Sequence, residues 1–195
     1  MIVFDLETKK LAEEVGGWAN VEAMGLSVAC TWDEDHGYRD WWEMQAGDLL
    51  EELRKAELIV GFNLNKFDYR VLSLYGSILG LEDKTFDILD EIWHQAHVRV
   101  ALSHLAKINL GEAKAFESGV HAVRLYKQGK SEELAAYCRR DLEITKTLYL
   151  TWQMSGVMWL PNLETVVFTG PRDAEEMAEL REKRQEAERN KRHSR

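Results

Sequence analysis

A chain of 195 residues that is 45% hydrophobic can bury one substantial core, and we expect one domain over residues 1–170 followed by a charged C-terminal helix or disordered tail over 171–195. No apolar run approaches the ~18 residues of a membrane span, and no basic stretch followed by an apolar one opens the chain; a membrane role is excluded and a soluble, cytoplasmic protein is expected. The two cysteines, Cys30 and Cys138, form no C-x-x-C pair, so neither a disulfide framework nor a cysteine-rich zinc site is suggested, while a net charge of −9 speaks against binding by general basicity.

Met1–Leu6 reads as a short apolar strand, and Met24–Trp32 with Tyr38–Trp42 supplies two more around the turn-prone Asp33 to Gly37. Leu49, Leu50, Leu53 and Ala56 repeat at helical spacing before the apolar run Leu58 to Phe62, a buried strand that needs a crossover connection. From Phe67, the residues Val71, Leu72, Leu74 and Tyr75 form a helical face, and Thr85–Leu89 reads as a further strand. Beyond it the pattern is helical, with Ser103 a cap for Leu105–Leu110 and Ser131 opening a long helix through Tyr137, Asp141, Ile144, Leu148 and Trp152. Residues 171–195 carry 8 basic and 7 acidic side chains with few apolar ones and are left outside the core. The order of elements predicts an α/β fold with a mixed sheet and helices on its faces.

Charge is unevenly placed. Residues 1–96 hold 8 basic and 20 acidic side chains, whereas residues 97–146 hold 9 basic and 6 acidic. A site that binds divalent cations tolerates a negative field, because the ions are the largest local positive charges; the net charge therefore does not decide the partner.

Three short motifs carry chemistry. Asp5 and Glu7, two apart on a strand, point to the same side of the sheet, near the end where open α/β sheets bind ligands. Asn63 and Asp68 flank a loop-to-helix transition after the buried strand, and Tyr137 and Asp141, four apart on a helix, share a face. Each motif alone has a plain structural reading as surface carboxylate, helix cap or core aromatic. Their joint occurrence, in this order, is what those readings explain poorly.

Phe4-Asp5-Leu6-Glu7-Thr8, Asn63-Leu64-Asn65-Lys66-Phe67-Asp68 and Tyr137-Cys138-Arg139-Arg140-Asp141 together resemble the three motifs of the DEDD exonuclease superfamily, in its tyrosine-bearing branch. The likeness is greatest to the proofreading domains of family B DNA polymerases and covers about residues 1–155. Residues 105–114, ending in Lys114, resemble the helix and lysine that precede the third motif. The histidine branch would carry its histidine at position 136, where this chain has Ala136. The resemblance implies a ribonuclease H-like fold, α/β with a mixed five- to six-stranded sheet flanked by helices. It implies a 3′→5′ exonuclease that hydrolyses single-stranded or frayed DNA with two divalent metal ions, Mg²⁺ or Mn²⁺. Asp5 would bridge both ions, Glu7 and Asp141 would complete one, Asp68 would serve the other, Tyr137 would orient the attacking water and Asn63 would hold the terminal nucleotide. A 3′→5′ exoribonuclease and a non-catalytic nucleic-acid-binding or docking module of the same fold are the alternatives. Because the chain has no room for a polymerase, it is expected to act alone or with a separate partner, for which replication, repair or helicase machinery is the candidate.

Other residues carry less. His94 and His97, three apart, lack the cysteine or carboxylate spacing of a zinc motif. Trp32, Trp41 and Trp42 read as core aromatics on strands, whereas Trp18, in a Gly16-Gly17-Trp18 loop, is the best base-stacking candidate. Leu6 and Phe67 adjoin the carboxylates and read equally as core or as contacts to bases, and Asp87 is a neighbour of the site.

Overall fold

The computed structural model describes residues 1–111, 119–171 and 176. Lys114 and the charged tail beyond Pro171, Glu176 apart, lie outside the described residues.

Strand β1 (Ile2–Thr8) pairs antiparallel with β2 (Leu26–Asp33), which pairs antiparallel with β3 (Gly37–Trp42). On its other side β1 runs parallel to β4 (Ile59–Gly61), and β4 parallel to β5 (Thr85–Asp87). The five-stranded order is β3-β2-β1-β4-β5, so β1 is central. Among the described residues the α-helices that follow or intervene are α1 (Ala46–Lys55), α2 (Tyr69–Leu72), α3 (Ile88–Ala96), α4 (Leu102–Leu110), α5 (Gly119–Lys127) and the 25-residue α6 (Ser131–Ser155). A hairpin, β6 (Val157–Trp159) and β7 (Thr165–Val167), turns around Pro161.

Strand periodicity divides the interior into two layers. Ile2, Phe4 and Leu6 pack with Leu49, Leu50 and Leu53 of α1 and with Leu64, Tyr69 and Leu72. Val3, with Val28, Cys30 and Val60 of the neighbouring strands, faces Leu142, Leu148 and Trp152 of α6. Because side chains alternate across a strand, Asp5 and Glu7 fall on the α6 face with Val3. The long helix is thereby laid over the strand that carries the first motif.

Three sequence expectations change in detail. The strand expected over Thr85–Leu89 stops at Asp87, whose carboxylate accepts hydrogen bonds from the amides of Leu89 and Asp90 and starts α3. Ser103 does not cap α4: the cap position is Ala101 and no side chain bonds there. The helical face read from Phe67 begins earlier, as a π-helical turn over Leu64–Asp68 that runs into α2. That turn needs Gly61 before it, since a Cβ on Gly61 would collide with the Leu64 side chain. Among the described residues no helix is long and apolar enough to cross a membrane.

Candidate active site

The three motifs converge on one cleft of about 670 Å³, lined by Asp5, Glu7, Asn63, Asp68, Tyr137 and Asp141 among others. β1 brings Asp5 and Glu7, with a register irregularity against β2 between Glu7 and Thr8 at the cleft's edge. The π-helical turn brings Asp68, buried at 3% exposure, and α6 brings Tyr137 and Asp141 one turn apart on the face over the sheet. Leu6 and Phe67 line the cleft as well, Leu6 from a buried position.

Hydrogen bonds lock the motifs to one another. The Leu6 amide donates to Asp68 Oδ1 at 3.1 Å, which joins the first motif to the second. The Cys138 thiol, between Tyr137 and Asp141 in sequence, lies 3.7 Å from both the carbonyl oxygen and Oδ2 of Asp5, which joins the third to the first. Both cysteines are buried and free.

The carboxylates are held under electrostatic stress. Burial pushes the Asp5 carboxyl well above its usual range, the Asp141 charge adds to this, and the Cys138 hydrogen bond opposes it. Glu7 is raised by burial and then by Asp5, Asp141 and Asp68. Asp68 is raised by burial, Asp5 and Asp87, against the hydrogen bond from Leu6. Asp141 is pushed up to about 6 by burial, moderated by the hydrogen bond donated by Tyr137 and by the charge of Arg140. Tyr137 is raised by burial and by Asp141, Glu7 and Asp5, so its hydroxyl keeps its proton at neutral pH. Asp5, Asp68 and Asp141 each raise a neighbouring carboxylate because they share one desolvated space.

Asp87 does not line the cleft; it builds the cleft wall. Its Oδ1 accepts from the Asn63 amide at 2.7 Å and the Leu89 amide at 3.0 Å, while Oδ2 accepts from the Asn65 amide at 3.0 Å. Asn63 is thereby held in the left-handed region, φ 65° and ψ 26°, which Asn tolerates better than most residues. Its side-chain oxygen accepts from Arg99 at 2.9 Å, and Arg99 is the basic side chain among the described residues lining the cleft.

Several contributors escaped sequence reasoning. Arg99 lies between α3 and α4 without a motif around it, and His121 of α5 lies 5.8 Å, ring to ring, from Tyr137. Cys138 sits inside the third motif, and only its position facing β1 gives it a role. Trp18 does line the cleft, 67% exposed, whereas Trp41 donates to Thr31 on the sheet and Trp32 lies under the Lys146 ammonium, 4.6 Å away. His94 and His97 are exposed at the end of α3, and His97 makes an edge contact with Trp93.

Among the described residues no three or more His, Cys, Asp or Glu side chains already stand as the coordination shell of an ion. In kind, the cleft donors fit a hard divalent cation: all are carboxylate oxygens, and each gains from a positive charge placed among them.

A family model described as the RNase H superfamily matches residues 2–153. The fold is similar to that of the family B DNA polymerase from the hyperthermophilic archaeon Pyrobaculum calidifontis, with a TM-score of 0.55 and 14% sequence identity. The similarity covers 80% of this chain and 25% of the polymerase, so the chain spans about a quarter of that protein's length. No curated protein matches the sequence.

Proposed function

Because this chain belongs to the RNase H superfamily, we propose that its nuclease chemistry is that of a 3′→5′ exonuclease of the tyrosine-bearing DEDD type, acting on single-stranded or frayed DNA. The observation that carries this reading is the meeting of Asp5, Glu7, Asp68, Asp141 and Tyr137 in one cleft, where the carboxylates raise one another. A like-charged, desolvated set costs the fold stability and gains meaning from cations. DNA is favoured by the likeness of the motifs to polymerase proofreading domains.

Asp5, at the centre of the set, would hold two Mg²⁺ or Mn²⁺ ions jointly, with Glu7 and Asp141 on one and Asp68 on the other. When bound, such ions neutralise charge on the scissile phosphate and make an attacking water more acidic. The chain's own residues set direction. Tyr137 keeps its proton and donates a hydrogen bond to the Asp141 carboxylate, which leaves the phenolic lone pairs to accept from the water and aim it. Because burial and the neighbouring carboxylates weaken the phenol as an acid, it stays protonated and serves as a positioning group rather than the base. Asn63, fixed by Asp87 and bonded to Arg99, faces the terminal nucleotide, and the Arg99 guanidinium meets the phosphate chain in an otherwise acidic cleft.

The test is incubation of purified protein with 5′-labelled single-stranded DNA and its RNA counterpart, with Mg²⁺, Mn²⁺ or EDTA, beside Asp5→Ala. A metal-dependent ladder shortening from the 3′ end, lost in the variant, is the expected result, with DNA the better substrate. Faster laddering of RNA would make the protein an exoribonuclease. Binding without cleavage would make it a docking module.

A further inference from the structure

A tryptophan that leaves two thirds of its surface in water is unusual, since large aromatic rings are mostly buried. Trp18 is held that way by construction. Gly17 before it has φ 109°, a backbone that side-chain-bearing residues rarely adopt, and this turn swings the chain outward into the 3₁₀ segment Trp18–Met24. The segment is then fastened. Arg70 donates to the carbonyls of Trp18 at 3.4 Å and Ala19 at 2.7 Å, and to the Glu22 carboxylate at 2.8 Å.

The fastening point matters because Arg70 follows Asp68 by two residues. The Trp18 ring stands 6.3 Å from that of Phe67, inclined at 55°, and Phe67 directly precedes Asp68. Asp68 in turn accepts from the Leu6 amide between Asp5 and Glu7. An exposed indole is thus registered, through one short stretch of chain, to the carboxylates at the floor of the cleft it lines. A ring that served only packing would be covered, and a ring left over by chance would not be tied down at two carbonyls.

Resting on the exonuclease reading, we propose that Trp18 is the stacking platform for a base within the last few nucleotides of the single strand, with Phe67 bracing the indole from behind. Base stacking on an aromatic ring is sequence-tolerant, because every base offers a π-face. It also requires an unpaired base. Trp18 would therefore select strands whose 3′ end is frayed or single and bring the terminal phosphodiester over Asp5 and Asp68.

The experiment measures fluorescence anisotropy of a 5′-labelled oligothymidylate, with Ca²⁺ replacing Mg²⁺ to slow turnover, for wild type, Trp18→Ala and Trp18→Phe. A second strand lacks bases at its last few 3′ positions. Trp18→Ala is expected to weaken binding of the intact strand by about tenfold or more, to leave binding of the abasic strand unchanged, and to keep its far-UV circular dichroism. Trp18→Phe recovers part of the loss. In Mg²⁺ Trp18→Ala raises KM for the intact strand by more than it lowers kcat. Equal affinity of wild type and Trp18→Ala for the intact strand overturns the proposal while leaving the exonuclease reading in place, and so does an equal loss on both strands. Failure of the wild type to bind or cleave either strand overturns both.

Discussion

The Leu6 amide and the Asp68 carboxylate, 3.1 Å apart, hydrogen-bond the strand bearing Asp5 and Glu7 directly to the π-helical turn of the second motif. Asp68 thus has a structural duty separable from its charge. In Asp68→Ala the buried Leu6 N–H loses its acceptor, a loss of about 1–3 kcal/mol. Asp68→Asn keeps a carbonyl oxygen in place and removes a charge that repels Asp5 and Asp87. Urea unfolding should find Asp68→Asn at least as stable as wild type and Asp68→Ala less stable, with nuclease activity lost in both. Equal stability of the two variants would remove the structural duty.

Repulsion among the carboxylates sets the response to metal removal. Glu7 is raised by burial and by three neighbouring carboxylates, so the protein in EDTA carries a destabilising cluster near neutral pH. Asp141→Asn relieves part of it. Its thermal midpoint in EDTA should exceed that of wild type, and Mg²⁺ should raise the wild-type midpoint more than the variant's, since only a competent site gains from binding. Equal shifts with Mg²⁺ in both proteins would place the ions elsewhere.

Tyr137 is tested by removing one oxygen. The phenol donates to Asp141 and keeps its proton because burial and Asp141, Glu7 and Asp5 all oppose ionisation. In Tyr137→Phe the ring still packs beside His121, but on the proposed mechanism the attacking water would lose the hydroxyl that orients it. We expect kcat to fall about a hundredfold, the lower end of what a group placed for proton transfer contributes, with Mg²⁺ affinity by calorimetry unchanged. Weakened metal binding would instead make the hydroxyl a support for Asp141.

Local patterns carried much of this into the sequence. Alternation along β1 placed Asp5 and Glu7 on one face, and the four-residue spacing placed Tyr137 above Asp141, because each depends only on strand or helix periodicity. The contacts between motifs were not legible. Asp87 looked like a neighbour of the site, yet it bonds the amides of Asn63 and Asn65 from 24 and 22 residues away, a pairing no local pattern encodes. The hairpin around Pro161 was hidden for a related reason: its strands are three residues each, and Phe168 is buried by Phe86, Tyr149 and Trp152 rather than by its own neighbours. Ser103 had the right chemistry for a helix cap but stands one residue inside α4. Capping depends on a boundary that sequence fixes only to within a turn.

Away from the cleft, Asp33 gives a pH dependence whose sign is fixed. At the end of β2 its Oδ1 accepts from the amides of Asp35 and His36 at 3.0 and 2.9 Å, and Arg39 donates to Oδ2 at 2.9 Å. Burial acts to raise its pKa, but the His36 hydrogen bonds and the charges of His36 and Arg39 outweigh it and the carboxyl lies below its usual value. A carboxyl depressed in the folded state binds fewer protons there than in the unfolded chain. Its contribution is therefore complete above an unfolded pKa of about 3.9 and is lost as pH falls through the lower folded value. Asp33→Asn removes the ion pair with Arg39 and this titration. The variant should be less stable than wild type by about 1–2 kcal/mol near neutrality, and the gap should close as pH drops from about 5 to about 2, measured by urea unfolding at each pH. The repulsion and protonation of the other acidic residues are common to both proteins and cancel in the difference, so a gap that stays constant across that range would mean Asp33 acts through shape alone.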